Sequence, residues 1–312
     1  MKSSSWLATL IRSIERLYPR SLSDLSWDNT GLLLESPVKN PDRKRVLLAI
    51  DLTTAVAEEA LTMYPPVGAI VAYRECFESI YSGYIEWSED PIIFNPIKSL
   101  TLSDPQQRTL LRLAASGISV YSPHTAMDAA VGGINDWLAD GIWDNKCIER
   151  TVIRPSESVE GNEKFGNMTG MGRMIRWNEP ISISTLVKRI KKHLKLAQIR
   201  LALSEKHRRE GGNCIYKIGI CAGSGGSILR NVHADVLFTG ELSHHDILHA
   251  TEKGSSVILC GHSNTERGFL SCVMKKKLQD VLYDEFSAMQ DDQLLLPEVV
   301  VSEADKDPLE VV

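Results

Sequence analysis

Residues 47–72 read LLAIDLTTAVAEEALTMYPPVGAIVA, two apolar runs either side of a helical stretch. Leu47–Asp51 is short and apolar after a basic turn, which predicts a buried strand. Ala55–Met63 carries helical spacing, and Val67–Ala72 reads as a second strand. A strand–helix–strand rhythm signals an α/β domain with a largely parallel sheet.

The same rhythm extends outward. Asp104 suits a helix N-cap and Pro105 the first helical position, so Asp104–Ser116 is expected as a helix that Gly117 ends. Ile118–Tyr121 follows as a strand, and Gly133–Ala139 opens another helix. From Ile153 to Ser204 the texture changes: Glu157–Met168 is polar and rich in Gly and Asn, Ser182 and Ser184 precede a helix that runs through Lys195, and Ile199–Leu203 is a strand. The α/β rhythm then resumes with strands Lys217–Cys221, Val236–Thr239 and Val257–Leu259, a helix around His245–Glu252, and a long helix from Thr265 to Leu282. We therefore expect an α/β fold with a mixed sheet flanked by helices. Its segments 1–149 and 205–312 pair together, and 150–204 forms a smaller α+β insert. At the N-terminus, Met1–Arg20 is Ser-rich, with Lys2, Arg12, Arg16 and Arg20 against Glu15, a composition resembling a mitochondrial transit peptide. Trp6, Leu10, Ile14 and Leu17 recur at helical spacing, and we read an amphipathic first helix.

The bulk properties exclude some partners. Net charge is −5 and no basic stripe stands out, which argues against direct nucleic-acid binding. No apolar run approaches the roughly 20 residues of a membrane span. The six cysteines include no Cys-x-x-Cys pair, so a zinc knuckle is not expected. Cys214, Cys221 and Cys260 lie in or beside strand-like runs and read as buried thiols of a reducing compartment. Cytoplasm is the expected location, with the nucleus second.

Three acid and imidazole clusters each follow an apolar strand, where ligands collect in parallel sheets. In Gly261-His262-Ser263-Asn264-Thr265-Glu266, positions i and i+4 of a helix place His262 and Glu266 about 6 Å apart between Cβ atoms. His124-Thr125-Ala126-Met127-Asp128 follows Ile118–Tyr121. Thr239-Gly240-Glu241-Leu242-Ser243-His244-His245 follows Val236–Thr239; its adjacent histidines point about 100° apart on a helix and do not suit one ion. Each cluster taken singly also reads as ordinary helix-start chemistry. Gly223-Ser224-Gly225-Gly226-Ser227 reads as a tight turn needing positive φ, or as an anion cradle. Together, mixed His and carboxylate donors suit zinc, iron or manganese better than calcium.

At this point the chain resembles a known family, the Nif-three family (NGG-interacting factor three, grouped with the type 2 GTP cyclohydrolase I proteins), as a eukaryotic, fungal-type member. The residues that carry the resemblance are Ser26-Trp27-Asp28-Asn29-Thr30-Gly31-Leu32-Leu33, Ser122–Asp128 with Gly132-Gly133-Ile134-Asn135, Gly170-Met171-Gly172-Arg173, Ala222–Gly226, Thr239–His245 and Gly261–Glu266. The resemblance implies a Nif-three-like fold, a homo-oligomer and two divalent metal ions (zinc, iron or manganese) at the junction of the outer segments. Carried over by position, Asp128, His262 and Glu266 match metal ligands. His124 supports a ligand or bound water, and Glu241 lines the same cleft; both are candidate catalytic groups. The implied function is a metal-dependent hydrolase of a nucleotide or pterin-like small molecule. A transcription-associated protein-interaction adaptor and a metal-delivery protein are the alternatives.

One motif departs from the family. After the second strand the family has a His-His or Tyr-His pair followed by Pro, whereas this chain reads Val71-Ala72-Tyr73-Arg74 and meets Pro-x-x-Phe only at Pro91-Ile92-Ile93-Phe94. We hypothesise that residues 74–90 are a translated, unspliced intron. Removing them and restoring one His gives Val-Ala-Tyr-His-Pro-Ile-Ile-Phe, and the genetic code permits that junction in frame. A genuine loop, in which Glu75 or Glu78 replaces the imidazole, is the alternative. Mature message that uniformly retains codons 74–90 would rule the intron out.

Overall fold

The computed structural model describes residues 6–39, 43–74, 100–156, 168–209, 214–288 and 296–310. Of the 74–90 segment only Arg74 falls within them, and of the polar stretch 157–168 only Met168, so both readings lie otherwise outside the described residues. The chain divides into two compact units, Met1–His124 with Leu270–Val312, and Thr125–Phe269.

The first unit is built on a five-stranded sheet. Its strands are β1 (Gly31–Leu34), β2 (Arg45–Ala49), β3 (Val67–Ala72), β4 (Ser119–Ser122) and β11 (Val299–Val301), in the order β1-β4-β3-β2-β11. Strands β11, β2, β3 and β4 run parallel and β1 adds antiparallel to β4. Every residue of β3 is buried, as a central strand covered on both faces requires. Helices α2 (Thr54–Thr62) and α3 (Pro105–Ala115) bring Val56, Ala60, Leu110 and Leu113 into one core with Leu47, Ile70 and Val120. Both are capped as their sequences dictate: Thr53 accepts from the Val56 N–H at 3.2 Å and Asp104 from the Gln107 N–H at 2.8 Å. Such caps satisfy amides that a helix leaves open at its start. The expected amphipathic first helix is α1 (Trp6–Leu17), with Leu10 and Ile14 fully buried; it packs on α10 (Lys275–Ser287).

The second unit carries a six-stranded mixed sheet. Its strands are β5 (Cys147–Pro155), β6 (Gly170–Ile181), β7 (Arg200–Ala202), β8 (Ile215–Ser224), β9 (Val236–Glu241) and β10 (Ser256–Leu259), in the order β5-β6-β8-β9-β10-β7. Its centre, β8-β9-β10, is parallel, while β5, β6 and β7 join antiparallel. Helices α4 (His124–Ala129, which starts on the last residue of the first unit), α5 (Ile134–Asp140), α6 (Ile183–Leu194), α7 (Glu205–Arg208), α8 (Gly226–Leu229) and α9 (His244–Glu252) connect the strands. Ile228, Leu229 and Ala250 from α8 and α9 pack with Leu237, Val257 and Leu259 of the sheet.

The arrangement differs from the sequence reading in three respects. Segments 1–149 and 205–312 do not share one sheet except through β11. A separate α+β insert over 150–204 is not where the partition falls, because β6 is hydrogen-bonded to β5 on one side and to β8 on the other. The compositional shift marks the polar connection, while the strands around it keep a buried face. Third, the helix expected from Thr265 to Leu282 is a 3-10 turn (Ser263–Thr265), a helical turn (Arg267–Phe269) and a π-helical turn (Leu270–Met274) before α10. Among the thiols, Cys221 and Cys260 are buried as expected but Cys214 is exposed, since it precedes β8 and lies outside its covered part. Among the described residues no helix is long and apolar enough to cross a membrane.

Candidate functional site

The carboxyl ends of β8, β9 and β10 bring the second unit's candidate residues together. Ser224 at the end of β8 pairs with Glu241 at the end of β9, and the Gly261 N–H donates to the Gly240 carbonyl at 2.9 Å. This lateral register puts Glu241 beside His262: Glu241 Oε1 lies 2.7 Å from His262 Nδ1. A carboxylate only accepts, so Nδ1 carries the proton. His262 Nε2 then presents a lone pair, and it lies 3.4 Å from Glu266 Oε1. Two acceptors face each other at that distance favourably only with a proton or a cation to reconcile them. Glu266 is 1% exposed, whereas His262 and Glu241 are open to solvent on one side.

Gly223 leaves room at this spot. Its φ is +59°, and a Cβ there would sit 2.6 Å from Glu266 Oε1 and 2.7 Å from His262 Nε2. The glycine is required both by its backbone conformation and by the two donor atoms crowding its open side. Thr265 locks the turn, accepting from the Gly223 N–H at 2.8 Å and donating to the His262 carbonyl at 2.7 Å.

Asp128 reaches the same unit from α4 and is 6% exposed. Asn135 ties it to β8: its Nδ2 donates to the Asp128 carbonyl at 3.1 Å and its Oδ1 accepts from the Ala222 N–H at 2.9 Å. Cys221 senses both carboxylates. Burial pushes its thiol far above the ordinary range, and the charges of Asp128 and Glu266 push it further, with Arg154 opposing. Asp128 and Glu266 thus bring negative charge to the neighbourhood of one buried thiol. Among the described residues no group of three or more His, Cys, Asp or Glu side chains is placed to hold a metal ion. His262 and Glu266 form the close pair, Glu241 backs it, and Asp128 lies within electrostatic reach of Cys221.

His124 belongs to the first unit. Its Nδ1 lies 2.7 Å from Asp28 Oδ1, and the Asp28 side chain is fully buried. Trp27 and Tyr73 meet the imidazole edge-on, with ring centroids at 5.7 and 5.3 Å. The carboxylate fixes the Nδ1–H tautomer and leaves Nε2 as the basic nitrogen. Arg74, at the strand end where the resemblance expects an imidazole, pairs with Asp51 at 3.0 Å.

Sequence reasoning singled out His124, Asp128, Glu241, His262 and Glu266 but gave no role to Asp28, Asn135 or Thr265. Asp28 and Asn135 stand within motifs quoted above. Their partners come from other elements, so spacing could not assign them.

The chain is similar along its whole length to known proteins. The Duf34/NIF3 (NGG1p interacting factor 3) family profile matches residues 88–308. The Protein NIF3 homolog of Schizosaccharomyces pombe is 43% identical, over 99% of both chains. The NGG1-interacting factor 3 of Saccharomyces cerevisiae is 38% identical, covering 98% of this chain and 96% of its own. Among solved structures, the Bacillus cereus protein related to NIF3 superposes with a TM-score of 0.71 at 18% identity, covering 97% of this chain and 98% of its own. A Staphylococcus aureus hypothetical protein does so with 0.71 at 20% identity, covering 100% of both. At these identities the structural likeness concerns the fold.

Proposed function

The chain belongs to the Duf34/NIF3 (NGG1p interacting factor 3) family, and on that premise we propose that it is a divalent-metal-dependent hydrolase of a nucleotide or pterin-like small molecule. The observation that carries this reading is the facing of His262 Nε2 and Glu266 Oε1 across the space that Gly223 keeps open. Imidazole and carboxylate donors suit zinc, iron or manganese. A cation also compensates buried carboxylate charge that is otherwise costly. His262 and Glu266, the close pair, would be its first ligands. Asp128, the third ligand that the resemblance implies, would have to move toward them on binding, and water or substrate would complete the coordination, as in catalytic sites that keep an open position. When bound, such an ion supplies Lewis acidity and favours activation of water.

The remaining steps belong to the protein's own groups. Glu241 fixes the Nδ1 proton of His262 and so keeps Nε2 available as a donor. Being half exposed, Glu241 is also positioned to take a proton from a nucleophile. By resemblance alone His124, whose Nδ1 is held by Asp28, is the second candidate base.

The test is metal content by mass spectrometry after native purification. A chain in which residues 74–90 are replaced by one His should carry two ions, and the chain as it stands fewer, because each lost ligand weakens a site. His262→Ala or Glu266→Gln should lower the content in either form, while Glu241→Gln and His124→Ala should keep metal and lose turnover on a panel of nucleotides and pterins. Neither form retaining metal above buffer level, even after reconstitution, would defeat the proposal. The name of the Saccharomyces cerevisiae relative, NGG1-interacting factor 3, favours a second reading, a protein-interaction adaptor: partner binding that survives His262→Ala would support it. Metal delivery, with the ions as cargo, predicts metal transfer without turnover.

A further inference from the structure

The second unit also holds a cavity of about 300 Å³ between α8 and α9, on the face of the sheet those helices cover. That size lies at the lower end of small-molecule sites. Its floor is aliphatic: Leu229, Val232, Leu237, Leu242 and Ala250 line it. Its polar groups gather mainly toward the amino-terminal ends of the strands. Lys217 lies near the start of β8, Asp235 just before β9, and Lys253 and Ser255 just before β10. This is the end of the sheet opposite Glu241 and His262.

The charges do not balance. Asp235 is saturated: its Oδ1 accepts from Lys206 Nζ at 2.6 Å and its Oδ2 from the Tyr216 and Lys217 N–H groups at 2.9 and 3.1 Å. Burial pushes its carboxyl up, but these donors outweigh that and hold it below the usual range. Asp246 accepts from Ser243 Oγ at 2.6 Å and pairs with Arg230 at 3.4 Å. Each acid of the lining is thus matched by one cation. Lys217 and Lys253 are left over, and among the described residues neither ammonium has an ion-pair partner. His233 and His249 add two imidazoles to the same lining. The carboxyl terminus of α9 offers only about half a negative charge in return. This surplus of positive charge stands on a chain whose net charge is −5.

We propose that the cavity between α8 and α9 binds a phosphate monoester with an apolar body, the body on the aliphatic floor and the phosphate between Lys217 and Lys253. The chemistry matches in three ways. A dianionic phosphate balances two ammonium groups, its oxygens accept from lysine as from a point charge, and an aromatic or aliphatic body covers the leucine floor. The site is separate from the His262 cleft and does not depend on the metal proposal.

Calorimetric titration of the full chain with 1-naphthyl phosphate tests it, with 1-naphthol and inorganic phosphate as controls. Saturable binding is expected, at least about tenfold tighter than for either control, since each carries half of the recognised chemistry. The double variant Lys217→Gln/Lys253→Gln should bind at least about tenfold more weakly with an unchanged thermal midpoint, because among the described residues neither ammonium makes an ion pair that the substitution would break. Leu242→Trp should block the floor and abolish binding. His262→Ala should bind like the wild type. No saturable binding overturns the proposal. So does a lysine double variant that binds like the parent, phosphate alone binding equally well, or loss of binding in His262→Ala, which would move the ligand to the strand-end cleft.

Discussion

Gly223 shows how much of the candidate site depends on a residue with no side chain. Its positive φ was legible from the Gly-rich turn after a strand. The reason for the glycine was not, because Glu266 and His262 arrive from a segment some forty residues later. The pairing of His262 with Glu266 was legible, since i and i+4 share a face of a helical path; the local path is a 3-10 turn, yet it still brings the two side chains to 3.4 Å. Glu241's bond to His262 was not legible, because it arises from the lateral pairing of β9 with the Cys260–Gly261 backbone. Gly223→Ala should therefore separate two effects. The left-handed backbone costs about 1–2 kcal/mol for a residue with a Cβ, and the methyl displaces the His262 and Glu266 donor atoms. The expected outcome is a modest fall in stability by urea unfolding, with a larger fall in metal content by mass spectrometry. Full metal retention in a folded variant would show that the space beside Gly223 is not used.

At the scale of elements, β3 emerged with the bounds read from sequence, and α2, α3, α6, α9 and β10 within a residue or two. Each announces itself locally, through an apolar run or a capping residue. The role of β6 did not. Gly170-Met171-Gly172-Arg173 was recognised as a motif, and the structure gives its arginine a buried task. Arg173 donates through Nε and Nη2 to both oxygens of Asp136 at 2.7 and 3.0 Å, and through Nη1 to the Gly170 and Gly172 carbonyls. It thereby fastens β6 to α5. Burial pushes the Asp136 carboxyl up, but Arg173, the Gly132 N–H and Arg150 together hold it below its usual range. A depressed carboxylate contributes stability that is present above its unfolded pKa, about 3.9, and is lost as pH falls through the lower folded value. Arg173→Ala should cost about 3–5 kcal/mol at pH 7, as expected when one partner of a buried pair is removed. The gap between variant and parent should narrow below about pH 4, where Asp136 becomes neutral in the variant first. Urea unfolding at pH 7 and pH 3.5 measures both, and a gap that stays constant with pH would exclude the carboxylate as the variant's liability.

For the whole molecule, sequence carried the class of fold but not the partition. Strand order is set by pairings between distant segments, and a period-2 or period-3.6 pattern carries no record of which strand lies beside which. So β11 returns from the end of the chain to lie parallel to β2, in register from Val299 against Val46, while the strands between residues 147 and 259 close a sheet of their own. One unit is discontinuous and the other, Thr125–Phe269, is a single stretch of ordinary domain length with its own core. Contacts within a continuous stretch need no return of the distant terminus, so their closure entropy is met locally. Residues 125–269 expressed alone should therefore unfold in one cooperative transition and give dispersed amide resonances, including those of Gly223 and Gly240 at the strand ends. The two flanking segments expressed separately should not, since β11 and β2 belong to different pieces. A 125–269 fragment with the collapsed spectrum of an unfolded chain would show that its six-stranded sheet depends on the rest of the protein.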